Sequence, residues 1–228
     1  MMKFKKKESE NYIFHYLNDS LAEKEIDLII AEQEQVIKDL QEFFKIKVPF
    51  KIQYYLLNTS KQVGRFYGDE GEYNGFVKYP DKIYAVYNKE VQCIGYHEDA
   101  HIVSDLINKP NLSFIREGLA MYFDQKWWDK NNEDWVFEFL GNDKYIKVAE
   151  LMYDQDIDLK CEITYPIAGS FTKFLINTYG KEKYLELYRN KIINHNTFPK
   201  IYAKPLIELE QEFLNYIKTK ANLFNKTI

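Results

Sequence analysis

The chain has 228 residues, with 31 Lys and Arg against 35 Asp and Glu, a formal net charge of −4 and a pI of about 5.7. That balance offers no basic face for displacing counterions from phosphates, which argues against nucleic acid as a partner. Apolar residues make up 46% of the chain, enough for a sizeable core. No apolar run nears the roughly 18 residues of a membrane span.

In chain order, Lys3 and Lys5 to Lys7 read as a solvated basic tail. No apolar stretch follows the start MMKFKKKESE, so the chain as it stands is expected in the cytoplasm, and secreted or surface-anchored if a leader has been removed. NYIFHY at 11–16 is aromatic and β-branched, a strand pattern. Ser20 and Glu23 form a capping box, and Ile26 to Phe44 follow at helical spacing. Phe50, Ile52, Tyr54 and Leu56 alternate as in a half-buried strand, and Gly64 to Gly75 reads as irregular. Strands are expected at 75–79 and 82–87 around the Pro80-Asp81 turn. Helices follow: one capped by Asn88 and running to about Ile107, one capped by Ser113 and running through Glu117 to about Trp128, and one near Ile146 to Met152. Further helices are expected at Pro166 to Thr178, closed by Gly180, at Glu182 to Arg189, and at Pro205 to Lys218. The expectation is an α+β fold. A strand-rich lobe (1–108) would end in the HExxH helix, an all-helical lobe (109–228) would follow, and the two would make a single domain with a cleft between them. The 19 Tyr, 16 Phe and 3 Trp read as packing rather than as a binding platform.

Residues 97 to 101 read HEDAH, a match to HExxH. On a helix, positions four apart lie about 6 Å apart along one face, so His97 and His101 can point two imidazoles at one cation. Glu98 is rotated by about 100° from His97, where its carboxylate can flank a water on the metal as a general base. The alternative is a buried helix with two incidental histidines. Catalytic zinc needs a third protein ligand, with a fourth position left to water. A metzincin would carry Gly at 104 and His at 107, where this chain has Ser104 and Ile107. A carboxylate on the next helix is the remaining common solution, and Glu117 in FIREGLAMYF lies in an apolar stretch where a bare carboxylate would be costly. A surface carboxylate is the alternative there.

HEDAH followed by the REGLAMYF helix resembles the gluzincin peptidases, the thermolysin and aminopeptidase-N superfamily. Residues 165–189 and 205–217 are similar to the later helices of its compact members. The resemblance implies one zinc per chain, held by His97, His101 and Glu117, with Glu98 as general base and a peptide or protein substrate. It also implies a Tyr or His of the helical lobe beside the developing oxyanion, for which Tyr165 is the candidate ahead of Tyr145, Tyr153 and Tyr179. The strand at 82–87 resembles the edge strand that aligns an extended peptide. Three features depart from the pattern. Asp99 fills a position more often uncharged, and it is expected to pair with Arg116 or to face solvent. GEYNG at 71–75 is not an aminopeptidase substrate motif, and the large extra domains of those enzymes have no counterpart. Two rival readings share the metal: a non-catalytic binding or regulatory module, and a hydrolase of a non-peptide bond. His15 and His195 read as surface histidines, and Cys93 as a small core residue one turn before His97 on the same helix. Asp105 reads as solvent-facing, with a supporting role for a ligand as the alternative. Cys93 and Cys161 are expected as two thiols rather than a disulfide.

Overall fold

The computed structural model describes residues 2–224, which group into two compact units divided between Leu106 and Ile107. The fold is α+β, with one five-stranded sheet and many helices. Among the described residues no helix is long and apolar enough to cross a membrane.

In the first unit the sheet runs β1 (Phe4–Glu8), β2 (Tyr12–Leu17), β3 (Ile52–Leu57), β5 (Lys82–Val86), β4 (Gly75–Lys78). The central pairs β2–β3 and β3–β5 are parallel, and the outer pairs β1–β2 and β4–β5 are antiparallel. The helices are α1 (Leu21–Lys24), α2 (Ile26–Phe44), α3 (Ser60–Tyr67) and α4 (Tyr96–Asp105). Ser20 caps α1 as expected, its hydroxyl accepting from the Glu23 N–H at 3.1 Å. Tyr12, Phe14, Ile52, Tyr54, Leu56, Ile83 and Ala85 are buried, as is the stripe Ile29, Val36, Ile37 and Leu40 of α2. Each large apolar side chain so buried contributes about 1.5–3 kcal/mol. On the other face of the strands His15, Tyr55, Tyr84 and Phe76 stack in register across β2, β3, β5 and β4, with centroids 4.1, 4.6 and 4.9 Å apart. Phe66 and Val63 of α3 pack against this face. These aromatics of the unit are therefore packed, whereas Tyr67 and Tyr79 are exposed.

Several expectations are corrected. The basic start is strand β1, because Phe4 packs on Tyr55 while Lys5 and Lys7 pair with Glu23 and Asp27. The stretch expected to be irregular from Gly64 begins inside α3, which Thr59 caps by accepting from the Gln62 N–H at 3.2 Å, and which Gly68 ends at φ 115°. The strand at 82–87 is interior, paired on both sides; the edge on its side of the sheet is β4. Asn88 caps a turn instead of a helix, its Oδ1 accepting from the N–H groups of Glu90 and Val91 at 2.8 Å each.

The second unit contains α5 (Ser113–Asp124), the short hairpin β6 (Lys126–Trp127) and β7 (Lys130–Asn131), α6 (Asn132–Gly141) and α7 (Val148–Leu151). A 3-10 turn (Ile157–Lys160) leads into α8 (Cys161–Tyr179), followed by α9 (Lys181–Tyr188), α10 (Thr197–Tyr202) and α11 (Leu206–Phe224). α8 is the unit's central helix: Pro166 to Thr172 is buried without a break, as expected of a helix packed on all sides. It starts five residues earlier than the sequence suggests, so Pro166 lies inside it. As the sixth helical residue, Pro166 lies beyond the unbonded first turn, and the N–H it lacks would have bonded the Glu162 carbonyl. α5 stops at Asp124 because Gln125 turns to φ 63°, and the hairpin takes over where a helix to Trp128 was expected. Leu112 rather than Ser113 sits at its N-cap, and the Ser113 hydroxyl instead accepts from Arg116 at 2.8 Å. α7 lacks a cap of its own. Buried Glu210 of α11 serves it, accepting from the N–H groups of Val148 and Ala149 at 2.7 and 3.2 Å and from the Tyr145 hydroxyl at 2.9 Å.

Candidate metal centre

α4 begins at Tyr96 because Gly95 holds φ 106°, a left-handed conformation that L side chains rarely adopt. From there the HEDAH residues are helical, and His97 and His101 fall on one face as the spacing requires. Their ring centroids are 5.0 Å apart with planes at 79°, and both rings are half-buried. Glu98, next along the turn, is only 9% exposed. Its carboxylate lies against the start of edge strand β4: a Cβ added at Gly75 would stand 2.7 Å from Glu98 Oε1 and 2.9 Å from Cys93 Sγ. Cys93 therefore precedes α4 in a loop and is not on the helix itself, correcting its expected position.

Glu117 sits in the middle of α5, flanked by buried Ile115, Gly118 and Leu119. Gly118 faces α8, where a Cβ would come within 2.6 Å of Thr172 Oγ1 and 2.9 Å of the Ala168 carbonyl. That close packing of α5 on α8 brings Tyr165 to Glu117. The Tyr165 hydroxyl donates to Asp158 Oδ1 at 3.0 Å, and its ring meets Trp127 edge-on at 5.5 Å. Burial pushes this phenol far above its ordinary range, and the charges of Glu117 and Asp158 push the same way.

His97, His101 and Glu117 each offer one ligand atom, and these atoms lie within 4.8 Å of one another. No family model and no curated protein matches this chain. Two imidazoles and one carboxylate are the His2Glu set that zinc accepts in catalytic sites, with bonds of about 2.0–2.2 Å. Donors that close need only small side-chain adjustments to reach one ion, so the residues fit the metal.

Asp99 neither pairs with Arg116 nor faces solvent. It is fully buried, accepting from Tyr12 Oη at 2.6 Å and from Gln33 Nε2 at 2.9 Å. Burial pushes its carboxyl up to about 8; the hydrogen bond from Tyr12 opposes this, the charge of Glu98 adds to it, and the bond from Gln33 opposes it. Arg116 is taken up by the Pro110 carbonyl at 2.7 Å and by Ser113. His15 is not at the surface either: it is 3% exposed, stacked on Tyr55 and bonded to Gln53 at 2.7 Å, and burial lowers its pKa. His195 is exposed and Asp105 is half-buried. Cys93 and Cys161 are not joined in a disulfide. Tyr145 and Tyr179 are engaged with Glu210 and Glu212 of α11, while Tyr153 is 41% exposed. The partners of Asp99 could not be found by spacing, since Tyr12 and Gln33 lie far away in sequence.

Proposed function

We propose that the chain is a zinc-dependent peptidase resembling the gluzincins. The supporting observation is the convergence of His97, His101 and Glu117 with the Glu98 carboxylate on the same helix turn. Zinc held by the three ligands would supply Lewis-acid polarisation of the scissile carbonyl and of the attacking water. Glu98 is the general base: it takes the water's proton and hands it to the leaving amine nitrogen. An extended peptide is aligned by adding to edge strand β4, whose first residue abuts Glu98. Tyr165 donates to the developing oxyanion, giving up its bond to Asp158 as that charge grows.

Elemental analysis of protein never exposed to chelator should find about one zinc per chain, and Glu117→Ala should lose it. Glu98→Gln should keep the metal and lower turnover of a peptide library about 10²–10⁴-fold. Protein without zinc would sink the site. Zinc binding without any peptide hydrolysis by the wild type would move the reading to a non-catalytic metal-binding module or to a non-peptide substrate.

A further inference from the structure

We propose that Gln33 and Asp99, with Tyr12, are positioning residues that clamp the first turn of α4 and thereby set the metal-binding geometry of His97 and the aim of Glu98; this rests on the metal reading above. The Gln33 side-chain amide holds both ends of that turn. At its start, Gln33 Oε1 accepts the Gly95 N–H at 2.8 Å and Nε2 donates to the Gly95 carbonyl at 3.2 Å. One turn later, Nε2 donates to Asp99 Oδ2 at 2.9 Å. Tyr12 Oη closes the ring, 2.6 Å from Asp99 Oδ1 and 3.0 Å from the Gln33 carbonyl. Gln33, Asp99 and Tyr12 are each 0% exposed.

The residues enclosed between Gly95 and Asp99 are Tyr96, His97 and Glu98. α4 has no side-chain cap at Gly95; beside the Gln33 clamp, its first turn is tied to α2 by Tyr96 Oη, which donates to Asp39 Oδ2 at 2.7 Å. Gln33 lies mid-way along α2 and Tyr12 is on central strand β2, so the turn is referenced to the most deeply buried part of the unit. A buried polar network is costly unless every member is satisfied, and here each side chain is. Apolar residues at 12, 33 and 99 together would fill the core without that demand, which makes orientation, rather than stability, the benefit the network provides.

The test uses cobalt(II), which takes zinc ligands and carries visible ligand-field bands sensitive to their geometry. Asp99→Leu, Gln33→Leu and the milder Tyr12→Phe should change the cobalt spectrum and weaken cobalt and zinc binding by about 10-fold, the lower end for residues that orient ligands. Asp99→Asn should restore both. Its Nδ2 can donate to Tyr12 Oη, Tyr12 then donates to the Gln33 carbonyl, and its Oδ1 still accepts from Gln33. Leu40→Ala, a cavity variant elsewhere on α2, should lower the melting temperature yet leave spectrum and affinity unchanged. Wild-type protein that gives no cobalt spectrum overturns the metal reading and this inference with it. A wild-type spectrum shared unchanged by Tyr12→Phe and Gln33→Leu overturns this inference alone, as does a spectrum that Leu40→Ala alters equally.

Discussion

Replacing Gly75 with Ala should separate catalysis from stability. The residue has an ordinary backbone conformation, so alanine brings no φ strain. The added Cβ would meet Glu98 Oε1 at 2.7 Å and Cys93 Sγ at 2.9 Å, where ordinary contact starts at 3.4 Å. Glu98 must therefore retreat by about 3.4 − 2.7 = 0.7 Å. Both obstacles are side-chain ends that can rotate, so the cost in folding free energy should stay below about 1 kcal/mol, the range of a modest off-rotamer shift. Catalysis should suffer more, because a displacement near 1 Å can cost about 10²-fold in rate. The assay is kcat on a quenched fluorescent peptide library, with zinc content and melting temperature measured on the same preparation. Wild-type kcat in Gly75→Ala would refute the placement of Glu98 as the base against β4. A fall in zinc content matching the fall in kcat would assign the effect to the metal site instead.

Tyr165→Phe should retain zinc and KM but lose about 10²-fold in kcat, the loss typical of one oxyanion donor; an unchanged kcat would return that role to His195 or Tyr153. Glu133 is buried between Lys220 and Lys173, at 2.7 and 3.0 Å. Burial alone would raise its carboxyl, but the lysine hydrogen bonds and charges outweigh that and hold it below 4.5. Its contribution is thus present above about pH 4.5 and lost as pH falls through the lower folded-state value. Stability measured from pH 6 down to pH 3 should show that loss in the wild type and less of it in Glu133→Gln; parallel curves would contradict the pairing. Glu210→Ala strands two backbone N–H groups and the Tyr145 hydroxyl, and should cost about 2–4 kcal/mol by chemical denaturation, with under 0.5 kcal/mol counting against the cap.

Patterns closed within a few residues were legible in the sequence. HEDAH needs only the helical repeat to put two imidazoles on one face, and Ser20 with Glu23 needs only one turn. The alternation from Ile52 to Leu56 likewise marks a strand buried on one face, whatever it pairs with. Tertiary contacts decided the rest. Asn88 is as good a helix cap as a turn former, and only the bridge between Tyr87 and Gln92 makes it the latter. An interior strand and an edge strand read alike until pairing is known, which is why β4, not β5, is left at the edge. Gly118 signals a close approach without saying to what, and its partner proved to be α8. Asp99 is the sharpest case: its residue type and helical position argue for solvent or a cation, yet it is wholly buried. Its partners stand 66 and 87 positions away in the chain, and burying a carboxyl is tolerable only where folding delivers its donors.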